Sequence, residues 1–96
     1  MNDRIVILDF GSQYTQLIGR RIRDMHVFCE LLPWTAAKNE ALDSHTKGII
    51  LSGGPQSIYA DGAPYIQDYL IECGLPLLGI CYGMQALTHK LGGVVI

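Results

Sequence analysis

Cys81 is the residue of this chain best placed to do chemistry. It stands between two glycines in Gly79-Ile80-Cys81-Tyr82-Gly83-Met84-Gln85, directly after the apolar run Leu75-Pro76-Leu77-Leu78. That order is the layout of a nucleophile elbow, in which a buried strand delivers the reactive side chain to a sharp turn and a helix starts behind it. The glycines keep side chains out of the crowded turn. The helix N-terminus presents free N–H groups and positive partial charge, which lower a thiol's pKa and favour the thiolate. A cysteine taken alone is most often a small buried core residue. Here the flanking glycines and the strand-to-helix position favour a nucleophile. Cys29 and Cys73 lack that context, one lying within a strand pattern and the other at a helix end, and both are assigned to structure.

Ser52-Gly53-Gly54-Pro55 is the second candidate. It lacks the lysine and hydroxyl of a P-loop, so it is no phosphate cradle. A Gly-Gly pair is commonly a plain turn. Beside an elbow cysteine, it can instead aim backbone N–H groups at a carbonyl oxygen. With the N–H of Tyr82, the residue after the nucleophile, Gly53 and Gly54 would then form an oxyanion hole, each donor worth ~3 kcal/mol of barrier. Gln85 falls one helical turn beyond Cys81 on the same face. It is either a solvated helix residue or a side-chain amide that recognises substrate, and spacing leaves both open. Asp9-Phe10-Gly11-Ser12 carries no G-x-G-x-x-G and reads as a turn and helix cap.

A cysteine nucleophile needs a base, and the three histidines are His26, His45 and His89. His89 lies eight residues along the elbow's own helix, ~12 Å away by helical rise. His26 and His45 precede the second and third strands, at the rim opposite the elbow. None qualifies.

The elements that must hold these residues follow from hydrophobic period. Ile5-Val6-Ile7-Leu8 and Gly48-Ile49-Ile50-Leu51 are continuous apolar runs of buried strands. Val27 to Leu32 reads as another strand, and Pro76 to Gly79 as a fourth. From Gln13 to Met25 the residues Tyr14, Leu17, Ile18, Ile22 and Met25 form one apolar helical stripe, with Arg20, Arg21 and Arg23 turned to water. Further helices are expected around Ala36 to Leu42, Ala63 to Cys73 and Gly83 to Leu91, with Gly74 as a C-cap glycine. Alternating strands and helices imply right-handed crossovers and an open parallel α/β sheet with helices on both faces. Asp9, Ser52-Gly53-Gly54 and Cys81 then share the carboxyl rim, where ligands of such sheets bind.

Composition agrees with one compact unit. The chain has 96 residues, 49% hydrophobic and 17% charged, with formal charge −2. Disorder is excluded, and a broad basic field for nucleic acid is absent. No apolar stretch approaches the ~18 residues of a membrane span, so no membrane partner is expected. Three cysteines without metal-ligand spacing suit a reduced cytoplasm and no metal site. Leu91-Gly92-Gly93-Val94-Val95-Ile96 reads as a helix end, a turn and the start of a strand. Residues 1–96 are therefore expected to be a single partial domain, cut after its fourth strand–helix unit.

The elbow, together with Ser52-Gly53-Gly54-Pro55, resembles the class I (triad) glutamine amidotransferases, whose fold is flavodoxin-like. The opening Ile7-Leu8-Asp9-Phe10-Gly11-Ser12-Gln13-Tyr14-Thr15-Gln16-Leu17-Ile18, with Arg20-Arg21-Ile22-Arg23 after it, is similar to the start of the branch that serves GMP synthesis. The resemblance implies Cys81 as nucleophile, Gly54 and Tyr82 as oxyanion donors, and Gly53, Gly54 and Gln85 as glutamine contacts. It implies no cofactor in this chain, with ATP and Mg held by a separate ATP-pyrophosphatase domain that aminates XMP. It also implies a homodimeric whole enzyme, and a histidine base and acid in the second half of the amidotransferase domain. The isolated chain is then expected to be inactive and prone to associate. Two rival readings are a non-catalytic interaction module that keeps the elbow, and another elbow-cysteine α/β hydrolase. The Ser12-to-Leu17 stretch and Ser52-Gly53-Gly54-Pro55 argue against the latter.

Overall fold

The computed structural model describes residues 3–11, 15–53, 64–80 and 82–92, with the backbone only at 82, 83 and 85. Strands and helices alternate throughout: β1 (Arg4–Asp9), α1 (Thr15–Asp24), β2 (Cys29–Pro33), α2 (Lys38–Ala41), β3 (Thr46–Ser52), α3 (Asp68–Glu72), β4 (Leu77–Ile80) and α4 (Tyr82–Lys90). The strands form one parallel sheet in the order β2-β1-β3-β4. The chain steps outward from β1 to β2, then reverses through β3 to β4. Right-handed crossovers therefore put α1 on one face and α2, α3 and α4 on the other.

Side-chain alternation along the strands divides the packing in the same way. Val6, Leu8, Ile49 and Leu51 point to the three-helix face and are buried against Ala36, Ala41, Ile66, Leu70 and Ala86. On the opposite face α1 lies close to the sheet because Gly19 has no side chain. A Cβ there would meet Leu31 Cδ1 at 3.0 Å and Ile7 Cδ1 at 3.7 Å. Cys29 is buried under this helix, its Sγ donating to the Gly19 carbonyl at 3.5 Å, a structural role as expected.

The stripe anticipated on α1 is corrected in part. Ile18 and Ile22 are half-buried as expected and Tyr14 lies outside the described residues, but Thr15 and Gly19 are the buried residues, while Leu17 is 46% and Met25 67% exposed. A small residue and a hydrogen-bonded hydroxyl let the helix approach more closely than a leucine stripe would.

The other expected boundaries shift for local reasons. The second strand starts at Cys29, not Val27, because α1 is still closing. His26 N–H donates to Arg23 O at 2.8 Å and Val27 N–H to Ile22 O at 3.3 Å, with His26 at φ 62°. This pair of bonds is a Schellman motif with histidine where glycine is usual. The helix expected over Ala63 to Cys73 shortens to Asp68–Glu72. Ahead of it Gln67 is extended, and its amide donates to the carbonyls of Trp34 (2.7 Å) and Ala36 (3.1 Å). Gly74 does follow the helix end, at φ +75°.

Helices cover both faces as expected, the α1 face less completely. There an apolar groove of about 390 Å³ runs past Ile5, Ile22, Val27, Ile50, Pro76 and Leu78, the last 57% exposed. Among the described residues nothing lies over it.

The amino ends of the strands are held by one buried cation. Arg4 donates to Thr46 Oγ1 (3.1 Å) and to the carbonyls of Glu40 (2.9 Å) and Ala41 (3.2 Å), and pairs with Glu30 (3.1 Å) and Asp43 (3.3 Å). The His45 backbone N–H, aided by the Arg4 guanidinium, holds the Asp43 carboxyl below the usual carboxylate range. One side chain thus fastens β1, β2, the end of α2 and β3. Arg4→Met would strand several of these acceptors, and chemical denaturation is expected to show a loss of about 3 kcal/mol. At the end of α1, His26→Gly removes the left-handed penalty and is expected to raise stability by about 1 kcal/mol, less whatever glycine adds to unfolded-state entropy.

Candidate active site

The elbow sequence follows β4, the strand at one edge of the described sheet and the neighbour of β3. Ser52 on β3 is in register with Ile80, the last residue of β4, and Asp9 on β1 is in register with Ser52. Beyond Ser52 the ladder continues by one bond, from Gly53 N–H to Ile80 O at 3.0 Å. Gly53 and Ile80 are therefore neighbours across adjacent strands, on a sheet whose strands are ~4.8 Å apart. β4 ends at Ile80 and α4 begins at Tyr82, so one residue separates them in sequence. The first backbone N–H groups of α4 have no partner within the helix.

Of the sequence-derived candidates, Cys81 and Gly54 lie outside the described residues. Tyr82 is the first residue of α4 and Gln85 sits one turn along the same helix. Gly53 is buried, and its N–H is committed to the sheet rather than to a ligand.

The histidines fall where the topology anticipated. His45 O accepts Arg4 N–H at 2.8 Å, which puts it at the amino end of β1. His26 closes α1 just before β2. His89 belongs to the last turn of α4 and is exposed. None reaches the elbow. Among the described residues no group of three or more His, Cys, Asp or Glu is arranged to hold a metal ion. No described helix is long and apolar enough to cross a membrane.

Sequence reasoning overlooked one polar cluster on this rim. Asp9 Oδ1 accepts the Gly11 N–H at 2.8 Å and the Thr15 hydroxyl at 3.1 Å, and Thr15 Oγ1 lies 2.9 Å from Ser52 Oγ. An aspartate at a strand end with glycine two residues on is the signature of a side-chain-closed turn. Thr15, six residues on, gave no periodic signal as a buried polar group. Beside the cluster, Trp34 N–H donates to Asp9 O, and the Trp34 ring contacts Phe10 and Tyr65 at centroid distances of 6.3 and 5.0 Å.

The match to known proteins bears on this geometry. The family model for glutamine amidotransferase class-I covers residues 6–96. The chain belongs to the class I glutamine amidotransferase family. It is similar to the glutamine-hydrolyzing GMP synthases of Thermomicrobium roseum (58% identical over 97 residues), Psychrobacter arcticus (57% over 93) and Alteromonas mediterranea (53% over 95). These matches cover 97%, 97% and 99% of this chain but only 18%, 17% and 18% of the relatives. The chain thus spans less than a fifth of the curated relatives it matches. The four-stranded parallel sheet fits the flavodoxin-like fold expected of an amidotransferase of this class.

The pH dependence of Cys81 alkylation by iodoacetamide, resolved by peptide mass spectrometry, is expected to have its midpoint below the ordinary thiol value of ~8.5. Cys29, sealed under α1, is expected to stay unlabelled in the folded chain.

Proposed function

We propose that this chain is the first half of the glutaminase domain of a glutamine-hydrolysing GMP synthase. The observation that supports the reading is the class I glutamine amidotransferase match over residues 6–96, on a sheet whose β3–β4 ladder joins Gly53 to Ile80, the residue before Cys81. An amide carbon approaching the β4–α4 junction meets a nucleophile from β4 and backbone donors from two neighbouring segments.

The chemistry then runs in two stages. The Cys81 thiolate adds to the side-chain amide carbon of glutamine, and the carbonyl oxygen takes the negative charge. The N–H groups of Gly54 and Tyr82 hold that oxygen, a stabilisation realised only as charge develops. Collapse expels ammonia, protonated by a histidine acting as general acid, and leaves a γ-glutamyl thioester. Water, deprotonated by the same base, attacks the thioester and releases glutamate with the thiolate restored. Gln85, four residues after Cys81 in the sequence, and the Gly53-Gly54 segment contact the glutamine in this reading.

The histidine and its orienting acid are assigned to the second half of the amidotransferase domain, since His26, His45 and His89 are all misplaced. Ammonia passes to an ATP-pyrophosphatase domain, where XMP is adenylated by Mg-ATP and aminated to GMP. ATP and Mg bind there, and no residue of this chain is assigned to them. Free thiols at Cys29 and Cys73 suit the cytoplasm. The whole enzyme is a homodimer in this reading.

The test is a chimera in which this chain replaces the matching segment of the Psychrobacter arcticus synthase. It is expected to release glutamate from glutamine, and Cys81→Ala should lower that rate by roughly 10³-fold or more. The isolated 96-residue chain should show no release above background. A folded chimera without glutaminase activity, or an active Cys81→Ala variant, would refute the reading.

A further inference from the structure

The carboxyl rim contains a buried hydroxyl pair that the chemistry above does not use. Thr15 and Ser52 are each 1% exposed, with their Oγ atoms 2.9 Å apart. Thr15 Oγ1 also lies 3.1 Å from Asp9 Oδ1. An ionised carboxylate only accepts, so the single Thr15 proton goes to Asp9, and Ser52 must donate to Thr15. The protons are therefore ordered in one direction, from Ser52 to Thr15 to Asp9.

Ser52 is the last residue of β3 and the immediate predecessor of the Gly53-Gly54 turn. Its carbonyl accepts the Phe10 N–H at 2.9 Å, its hydroxyl is held by Thr15, and the next N–H is held by Ile80 O at 3.0 Å. The chain is thus fixed on three sides at the point where it departs toward Gly54. Backbone bonds fix two of these sides in any parallel ladder. The third depends on one side chain, Thr15, brought in by α1 from the other face of β1 and β3.

We infer that Thr15 is a positioning residue for glutamine hydrolysis: through Ser52 it holds the Ser52-Gly53 end of β3, the segment that immediately precedes Gly54. The inference rests on Gly54 being an oxyanion donor. A displacement near 1 Å of such a donor costs ~10²-fold in rate. Glutamine affinity is affected less, because the donor engages chiefly the charged oxygen of the transition state.

In the chimeric synthase, Thr15→Val keeps the shape and removes the hydroxyl. It is expected to lower glutaminase kcat by about 10- to 100-fold, with KM for glutamine within about threefold. The rate of Cys81 alkylation should stay within about twofold, since the nucleophile is untouched. Thr15→Ser should restore kcat to within about threefold of the parent, because the hydroxyl alone is required. Amination of XMP from added ammonium bypasses the site and reports folding; if Thr15→Val loses it, Ser52→Ala is judged by the same criteria. The inference is overturned by unchanged kcat, by a rise in KM alone, by alkylation falling in step with kcat, or by no rescue with serine. Glutaminase activity in the parent chimera and its loss in Cys81→Ala are read separately, so the proposed function stands or falls without regard to Thr15.

Discussion

The bond from Gly53 N–H to Ile80 C=O is the constraint on which the arrangement depends. It is an ordinary ladder contact, yet it carries the β3–β4 pairing one residue past the end of β3. With it, Gly53 and the last residue of β4 are spaced by the sheet itself. Polar recognition is cheap to organise in this way, because the sheet is already ordered by the burial of Val6, Leu8, Ile49 and Leu51.

Topology alone would have put a ligand elsewhere. The strand order reverses between β1 and β3, and that crevice is the usual place for a ligand in an open parallel sheet. Here Asp9, Thr15 and Ser52 fill it with their own hydrogen bonds. The proposed chemistry sits one strand over, between β3 and β4. The crevice has become part of the support for the neighbouring strand end.

The elements most legible in the sequence were those whose signal is local. Continuous apolar runs located β1 and β3, and the glycine-flanked cysteine located the strand-to-helix junction, because each pattern has few other physical solutions. The misreadings came from features that depend on distant partners. Val27 looked like strand by its side chain, but its N–H closes α1. Leu17 and Met25 completed a helical period, yet Gly19 and Thr15 face the sheet, since contact with Leu31 and Ile7 selects for small size rather than apolarity. Residues 64–67 resembled a helix start until the Gln67 amide reached the carbonyls of Trp34 and Ala36. The hydroxyl cluster was invisible for the same reason: Asp9, Thr15 and Ser52 meet only once the fold exists.

The Arg4 clasp has a consequence for how this protein tolerates change. It grips the amino ends of the strands, whereas the thiol junction lies beyond their carboxyl ends, and the six residues of β1 span ~17 Å between the two. Sites that far apart, sharing no partners, contribute nearly additively. On the proposed function, thermal robustness and turnover would thus be governed from opposite poles of the sheet. A laboratory lineage would then gain heat resistance around Arg4, Glu30 and Asp43 without trading away catalytic speed.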